Sequence, residues 1–308
     1  MTVASALPPG VVGIHALPAD HHDGPWDSII TTPEVKDRLL GTALLVLRHG
    51  RALDQLSGPP HGLVVLAGPP GTGKTTLCQG LAQRAALALS TRGATTFVEV
   101  DPHAFPNEML GESQRAVTRL FSDTLPELAA RRPHTVVLVD EIETMAVRRN
   151  TASFETNPVD VHRATDALLA GLDQLRSRCP HVLLLTTTNF PAAVDGAFLD
   201  RADLVLELGL PDLDTIAMIL RSTMAEAAAI FPELDRLATD EALLRHLAET
   251  CVGLDGRRLR KLFLAAIARR PATAVDPAGL TAADLVAAAR AEVGDSYRLD
   301  RTTLAARS

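Results

Sequence analysis

The stretch "GPPGTGKTT", residues 68–76, constrains the fold of this chain more than any other part of its sequence. It follows a short apolar run and precedes a segment rich in Ala and Leu, as in a strand, a glycine loop and a helix. Such a loop surrounds phosphates with backbone N–H groups, and the helix after it presents the positive end of its dipole. A plain glycine turn is the alternative. The residues predicted to bind a nucleoside triphosphate are Gly68, Pro69, Pro70, Gly71, Thr72, Gly73, Lys74, Thr75 and Thr76.

Two side chains of this loop have defined tasks in the predicted site. Lys74 is expected to reach the β- and γ-phosphates, and the Thr75 hydroxyl is expected to hold Mg²⁺. ATP and Mg²⁺ are therefore the predicted cofactors. Triphosphate binding alone does not choose between a kinase, a switch and a motor.

The segment "VVLVDE", residues 136–141, brings two carboxylates to the end of a second apolar strand. Asp140 is predicted to hold the Mg²⁺ through water, and Glu141 to activate an attacking water beyond the γ-phosphate. An acidic turn at a strand end is the structural alternative. A small-molecule kinase must exclude water from the γ-phosphate, so the second carboxylate favours hydrolysis.

Three further polar residues are candidates for the same site. Asn189 ends the strand "HVLLLTTTN" and is predicted to bond to the attacking water or a γ-phosphate oxygen, although Asn also ends strands for local reasons. Arg201 is predicted to reach the phosphates of a neighbouring subunit, the alternative being a pair with its flanking aspartates Asp200 and Asp203. Arg257, at the first turn of a predicted helix, is expected to sense the γ-phosphate. Its alternative is a place on a basic exposed face.

Composition and patterning set the fold class and the compartment. The chain has 308 residues, 46% of them hydrophobic but only 3% aromatic, so its core must consist of Ala, Leu and Val. A formal net charge of −7 makes nucleic acid an improbable partner. No apolar run is long enough to span a membrane, and three widely spaced cysteines suggest neither a zinc site nor disulfides. We expect a cytoplasmic protein.

Strand and helix patterns alternate over most of the chain. Apolar runs near residues 62–68, 95–100, 134–142, 181–189 and 202–209 predict an α/β domain with a five-stranded parallel sheet covered by helices on both faces. After residue 210 only helical patterns follow. The predicted organisation is a flexible tail over residues 1–25, a large α/β domain over 26–210 and a helical lid over 211–308.

These motifs, in this order and followed by a helical lid, resemble AAA+ ATPases. Within that class the segments "WDSIITTPEVKDRLL", "DEIETMAVRRN", "FLDRADLVLELGLP" and "GLDGRRLRKLFLAA" resemble the pachytene checkpoint ATPases, which remodel HORMA-domain proteins. Only 25 residues precede the predicted ATPase core, which resembles the bacterial branch of the family. That branch acts on HORMA proteins that regulate nucleotidyltransferase-based antiphage signalling.

The resemblance implies a homo-hexamer whose central loops grip a peptide and pull it. The matching loop here is "NEMLGES", where Met109 and Leu110 stand at the positions of an aromatic and an apolar residue and Gly111 fits the pattern. An ordinary strand-to-helix loop is the alternative. The implied partner is a HORMA-domain protein bound to a nucleotidyltransferase. Two other functions stay open: a DNA-directed AAA+ motor, of the branch-migration or clamp-loader type, and a nucleotide-gated scaffold that assembles without turnover.

Overall fold

The computed structural model describes residues 7–105, 112–148 and 158–305, and the chain divides into two compact units. The first unit comprises the chain up to Gly68 and from Lys74 to Leu208. The second comprises the short loop Pro69–Gly73 and everything from Gly209 onward. The division after Leu208 lies two residues before the boundary predicted from the sequence.

The first unit is built on a sheet of six strands within the described residues, in the order β1-β3-β4-β5-β2-β6. All neighbouring pairs are parallel except β1 and β3, which are antiparallel. Strands β2, β4 and β5 are buried along their whole length, as their uninterrupted apolar runs predict. The strands are β1 (Val11–Leu17), β2 (Leu63–Ala67), β3 (Thr95–Val100), β4 (His134–Val139), β5 (Val182–Thr188) and β6 (Leu204–Glu207).

Strand β1 corrects two predictions, a purely parallel five-stranded sheet and a flexible tail over residues 1–25. Residues 11–17 pair with β3 in an antiparallel register that shifts once, between Val11 and Gly13, and Leu17 is 1% exposed. Side chains along β1 alternate between buried and exposed, which suits a strand at a sheet edge with one face covered. The Pro, Gly and His content of the flanking residues obscured this short alternation.

Helices cover both faces of the sheet and create two hydrophobic clusters. One cluster packs Val65, Val137 and Leu184 against Phe121 and Leu168, and the other packs Leu66 and Leu185 against Leu39 and Leu81. The first unit has the αβα layering that was predicted. Its helices are α1 (Pro25–Ser28), α2 (Pro33–Leu53), α3 (Lys74–Leu89), α4 (Glu112–Arg119), α5 (Leu125–Ala130), α6 (Pro158–Arg178) and α7 (Gly196–Leu199).

The second unit contains helices and connecting loops but no strand within its described residues. Its core is aliphatic, with Leu220, Leu244, Leu247 and Leu259 at most 2% exposed. Asp212, Asp240 and Asp255 cap α8, α10 and α11 by accepting from backbone N–H groups of the first turn. The helices are α8 (Leu213–Ile230), α9 (Asp235–Ala238), α10 (Glu241–Thr250), α11 (Gly256–Ala268), α12 (Pro271–Val275) and α13 (Ala282–Ala305).

Cys78, Cys179 and Cys251 are buried free thiols. Burial raises the pKa of the Cys78 thiol and raises that of Cys251 to about 12. Within the part of the chain that is described, no helix combines the length and apolar character needed to cross a bilayer.

Candidate nucleotide-binding and hydrolytic site

The predicted phosphate loop connects the end of β2 to the start of α3, which begins at Lys74. Gly68, Gly71 and Gly73 all have positive φ, a backbone conformation that L side chains rarely adopt. At Gly68 a Cβ atom would also lie 2.1 Å from the carbonyl oxygen of Leu208. The loop therefore depends on glycine where the motif has it.

Among the described residues Lys74 is the one buried lysine, with 6% exposure. Its Nζ donates to the carbonyl oxygen of Gly68 and to Oδ1 of Asn189, both at 2.8 Å. An ammonium group is buried only where acceptors compensate it. The lysine of the phosphate loop therefore lies beside Asn189, the residue predicted for this site at the end of the neighbouring parallel strand β5.

The carboxylate of Asp140 lies directly after β4 and accepts from two hydroxyl groups. Thr75 Oγ1 donates to Asp140 Oδ1 at 2.9 Å, and Thr187 Oγ1 donates to the same oxygen. A hydroxyl and a carboxylate are hard oxygen ligands, and Mg²⁺ in phosphate sites uses few protein ligands beside phosphate oxygens and water. Thr75 and Asp140 therefore fit Mg²⁺. The described residues contain no cluster of three or more His, Cys, Asp or Glu that could hold another metal ion.

Glu141 follows Asp140 in a left-handed conformation with φ of 52°. Its Oε1 accepts from Asn189 Nδ2 at 3.1 Å, and its Oε2 lies 3.4 Å from Nε2 of His103. Its side chain is 46% exposed, so solvent water can reach the carboxylate. Asn189 consequently joins Lys74 and Glu141 through the two ends of its amide.

Asn189 is itself positioned by a residue that the sequence reasoning did not single out. Its backbone N–H donates to Oε1 of Glu143 at 3.0 Å. Thr187 and His103 were also missed. Thr187 could have been found, because residues 187 and 189 share one face of a strand. No sequence signal points to the contact between His103 and Glu141, which lie 38 positions apart.

Arg201 has a partner other than the ones considered for it. Its Nε and Nη2 donate to the two carboxylate oxygens of Asp173 on α6, each at 2.9 Å. The guanidinium holds the pKa of Asp173 below its usual range, chiefly through this hydrogen bond. Asp203 instead accepts from the backbone N–H groups of residues 61–63. The carboxylate that binds the Arg201 guanidinium is therefore that of Asp173 and not that of a flanking aspartate.

Arg257 belongs to the second unit and lies exposed in the first turn of α11. Its backbone N–H lies 2.9 Å from Oδ1 of Asp255 and 3.2 Å from the carbonyl oxygen of Gly71, which groups with the same unit. Its position at a helix start is as predicted. Its phosphate-sensing role stays a prediction.

The predicted peptide-gripping residues Met109, Leu110 and Gly111 lie outside the described residues. Their role therefore also stays a prediction. The described chain continues at Glu112, the first residue of α4.

The sheet order and the residues at its strand ends define a class of P-loop ATPase. The family model of the "ATPase family associated with various cellular activities (AAA)" matches residues 64–210, which span the phosphate loop, Asp140, Glu141, Asn189 and Arg201. The chain thus has the fold of an AAA ATPase, as the sequence predicted.

Two relatives indicate the branch of that class, and one solved structure shares the fold. CD-NTase-associated protein 6 of Pseudomonas aeruginosa is 42% identical over 286 residues, which cover 93% of each protein. A pachytene checkpoint protein 2 homolog of Oryza sativa subsp. indica is 35% identical over 81% of this chain, which spans 59% of that relative's length. The solved E. coli MS115-1 HORMA:CdnC:Trip13 complex contains a chain with a TM-score of 0.74 and 18% identity, covering 91% of this chain and 94% of that one, a likeness of fold.

The chain belongs to the bacterial branch of the pachytene checkpoint AAA ATPases that includes CD-NTase-associated protein 6. The family predicted from its motifs is confirmed.

Proposed function

We propose that this protein is an ATP-hydrolysing hexameric remodeller, acting in the bacterial cytoplasm, that disassembles complexes of a HORMA-domain protein in an antiphage nucleotidyltransferase system. The observation that carries the hydrolytic part is the chain of contacts Lys74–Asn189–Glu141. An ammonium, an amide and a carboxylate therefore lie in contact at one edge of the sheet. That constellation suits attack of water on a γ-phosphate.

Each residue has a distinct task in the proposed hydrolysis. Lys74 draws charge from the β- and γ-phosphate oxygens, and Asn189 orients the attacking water. Glu141 accepts a proton from that water while the water oxygen bonds to the γ-phosphorus. The bond between the γ-phosphorus and the ADP oxygen breaks, and phosphate and ADP are released. Mg²⁺ held at Thr75 and Asp140 would neutralise charge on the phosphate oxygens.

Two arginines complete the proposal from outside this cluster. Arg201, held at the surface by Asp173 with its side chain 26% exposed, would stabilise the transferring phosphoryl group of the next subunit in a hexamer. Arg257 would contact the γ-phosphate from the helical lid. In both roles an arginine supplies positive charge close to the phosphates, in addition to the charge of Lys74.

Family membership supports the choice of substrate. CD-NTase-associated protein 6 is named for its association with a CD-NTase, and the solved complex of similar fold contains a HORMA protein and CdnC. We propose that a HORMA-domain protein, bound to a nucleotidyltransferase, is pulled by a loop containing Met109, Leu110 and Gly111. The net charge of −7 disfavours the alternative of a DNA-directed motor, because duplex DNA repels an acidic surface.

The test is a capture experiment with a hydrolysis-deficient variant. Glu141→Gln keeps the shape of the side chain but removes the base, so it should bind ATP, hydrolyse none and retain its substrate. With ATP it should recover a HORMA-domain protein from a lysate of the organism that encodes the chain. Lys74→Ala, which loses phosphate binding, is the matched control and should recover none.

Three outcomes would contradict the proposal. Wild-type protein that hydrolyses no ATP in any oligomeric state would indicate a nucleotide-gated scaffold. ATPase stimulation by DNA but not by the captured protein would indicate a DNA motor. Equal capture by Glu141→Gln and Lys74→Ala would show that recovery does not depend on bound ATP.

A further inference from the structure

The hydroxyl group of Thr187 bonds to two functional residues at once. Its Oγ1 donates to Oδ1 of Asp140, and it accepts from the backbone N–H of Glu141 at 3.1 Å. Thr187 itself is 1% exposed, near the end of β5. One buried oxygen thus joins the predicted Mg²⁺ carboxylate to the backbone of the predicted base.

The direction of both hydrogen bonds is fixed by chemistry. A backbone N–H can only donate, and an ionised carboxylate can only accept. The single Thr187 proton therefore goes to Asp140, and a lone pair of the same oxygen receives the Glu141 N–H. A valine would match the shape of this side chain and remove both bonds.

The backbone of Glu141 is where such a restraint matters. Among the described residues Glu141 alone has positive φ without being glycine. A residue other than glycine keeps that backbone conformation only where surrounding contacts enforce it. Thr187 binds the N–H of Glu141, while the N–H and the hydroxyl of Thr144 both donate to its carbonyl oxygen at 3.1 and 2.9 Å. Both the backbone N–H and the backbone carbonyl of Glu141 are therefore hydrogen-bonded.

The threonines on either side of Thr187 have other partners. Thr186 Oγ1 donates to the carbonyl oxygen of Val64 at 3.3 Å, and Thr188 Oγ1 accepts from the N–H of Phe190 at 3.1 Å. Both are as buried as Thr187. Three adjacent buried threonines thus differ in what their hydroxyls contact, and Thr187 alone of the three contacts Asp140 and Glu141.

We propose that Thr187 is a positioning residue for ATP hydrolysis. Its single hydroxyl fixes the position of the Asp140 carboxylate, predicted to hold Mg²⁺, relative to the backbone of the base Glu141. The inference rests on the proposed ATPase function. Removal of the hydroxyl should disturb Mg²⁺ use and turnover together, while Lys74 and the phosphate loop continue to bind ATP.

The test compares Thr187→Val with Thr187→Ser and Thr186→Val in full-length protein. Steady-state ATPase rates are measured over a range of MgCl₂ and ATP concentrations, and thermal unfolding is followed in parallel. Thr187→Val should lower kcat roughly ten- to a hundredfold, the usual effect of losing a residue that orients a metal ligand. Its half-saturating Mg²⁺ concentration should rise, with little change in ATP affinity measured without Mg²⁺. Thr187→Ser should restore both quantities, and Thr186→Val should resemble the wild type.

Equal kcat in Thr187→Val and Thr186→Val would overturn the inference, as would a Thr187→Ser variant as slow as Thr187→Val. If Thr187→Val does not fold, Thr187→Ala, which introduces no new group, replaces it with the same criteria. Failure of the proposed function is distinguishable, because the wild type itself would then hydrolyse no ATP.

Discussion

Arg201 and Asp173 form a forked ion pair in which the Nε and Nη2 groups donate to separate carboxylate oxygens, each at 2.9 Å. Asp173 lies on α6 and Arg201 follows α7. The ion pair between these two elements fixes the orientation of the Arg201 guanidinium, which could not be predicted from the sequence. Planar forks of this kind are rigid compared with single hydrogen bonds. The arrangement presents Arg201 at the surface of the first unit in a defined position.

Mixing two inactive variants tests whether Arg201 acts on a neighbouring subunit. Arg201→Ala should lower the ATPase rate roughly a thousandfold or more, as expected for a lost arginine finger. Glu141→Gln is inactive but keeps Arg201. In mixed rings the Arg201 of one variant can serve the intact Glu141 of the other, so ATPase activity should rise several-fold above that of either protein alone.

The control for this experiment is a mixture of Glu141→Gln with Lys74→Ala, in which every subunit carries a defective site of its own. That mixture should stay inactive. Absence of recovery in the Arg201→Ala mixture, with mixed rings demonstrated by cross-linking, would contradict action in trans.

The ion pair itself should contribute little to stability. Asp173 is 50% and Arg201 26% exposed, and pairs of this exposure contribute about 1 kcal/mol or less. Because the pKa of Asp173 is lowered, its contribution is present above the ordinary aspartate pKa and is lost only as the pH falls below about 4. Urea unfolding of Asp173→Asn at pH 7 should show this small loss, and a loss above about 3 kcal/mol would contradict a surface role.

Substitution of Asn189 tests the bridge between Lys74 and Glu141. Asn189→Ala removes both contacts of the amide, so kcat should fall roughly a hundredfold, as for loss of one group that orients reacting atoms. ATP affinity should change much less, because Lys74 keeps its contact with the Gly68 carbonyl. Separate measurement of kcat and of ATP binding decides the point. A variant with unchanged kcat and weakened ATP binding would restrict Asn189 to a binding role.

Strand β1 gives a prediction about stability. Leu17 is 1% exposed within a hydrophobic cluster, so Leu17→Ala should lower the free energy of unfolding by about 2–5 kcal/mol. Val12 on the same strand is 52% exposed, and Val12→Ala should change it by about 0.5 kcal/mol or less. Denaturant unfolding measures both. Equal, negligible effects would mean that residues 11–17 behave as the flexible tail first predicted.

Residues adjacent in sequence made most of the nucleotide site predictable. The phosphate loop, Asp140, Glu141 and Asn189 each follow an apolar strand, and parallel strands bring their carboxyl ends to one edge of the sheet. The contacts found there follow from that geometry. The alternation of apolar strands with helical patterns likewise predicted the αβα unit, and the run of helical patterns after it predicted the helical unit.

The unpredicted parts depend on pairings between distant residues. Asp173 lies 28 positions from Arg201, and Glu143 lies 46 positions from Asn189. Neither pairing leaves a local pattern, because it arises only when helices and strands pack. Strand β1 escaped prediction for a similar reason, since its antiparallel partner β3 lies about eighty residues further along the chain.

The central claim is that ATP hydrolysis at Glu141 drives disassembly of a HORMA-domain complex. Its most direct measurement is fluorescence anisotropy of a labelled peptide bound to the HORMA-domain protein that Glu141→Gln captures. After ATP addition, the anisotropy should fall with the wild-type ATPase and stay constant with Glu141→Gln. If the wild-type protein hydrolysed ATP while the anisotropy of the peptide stayed constant, the account would be contradicted.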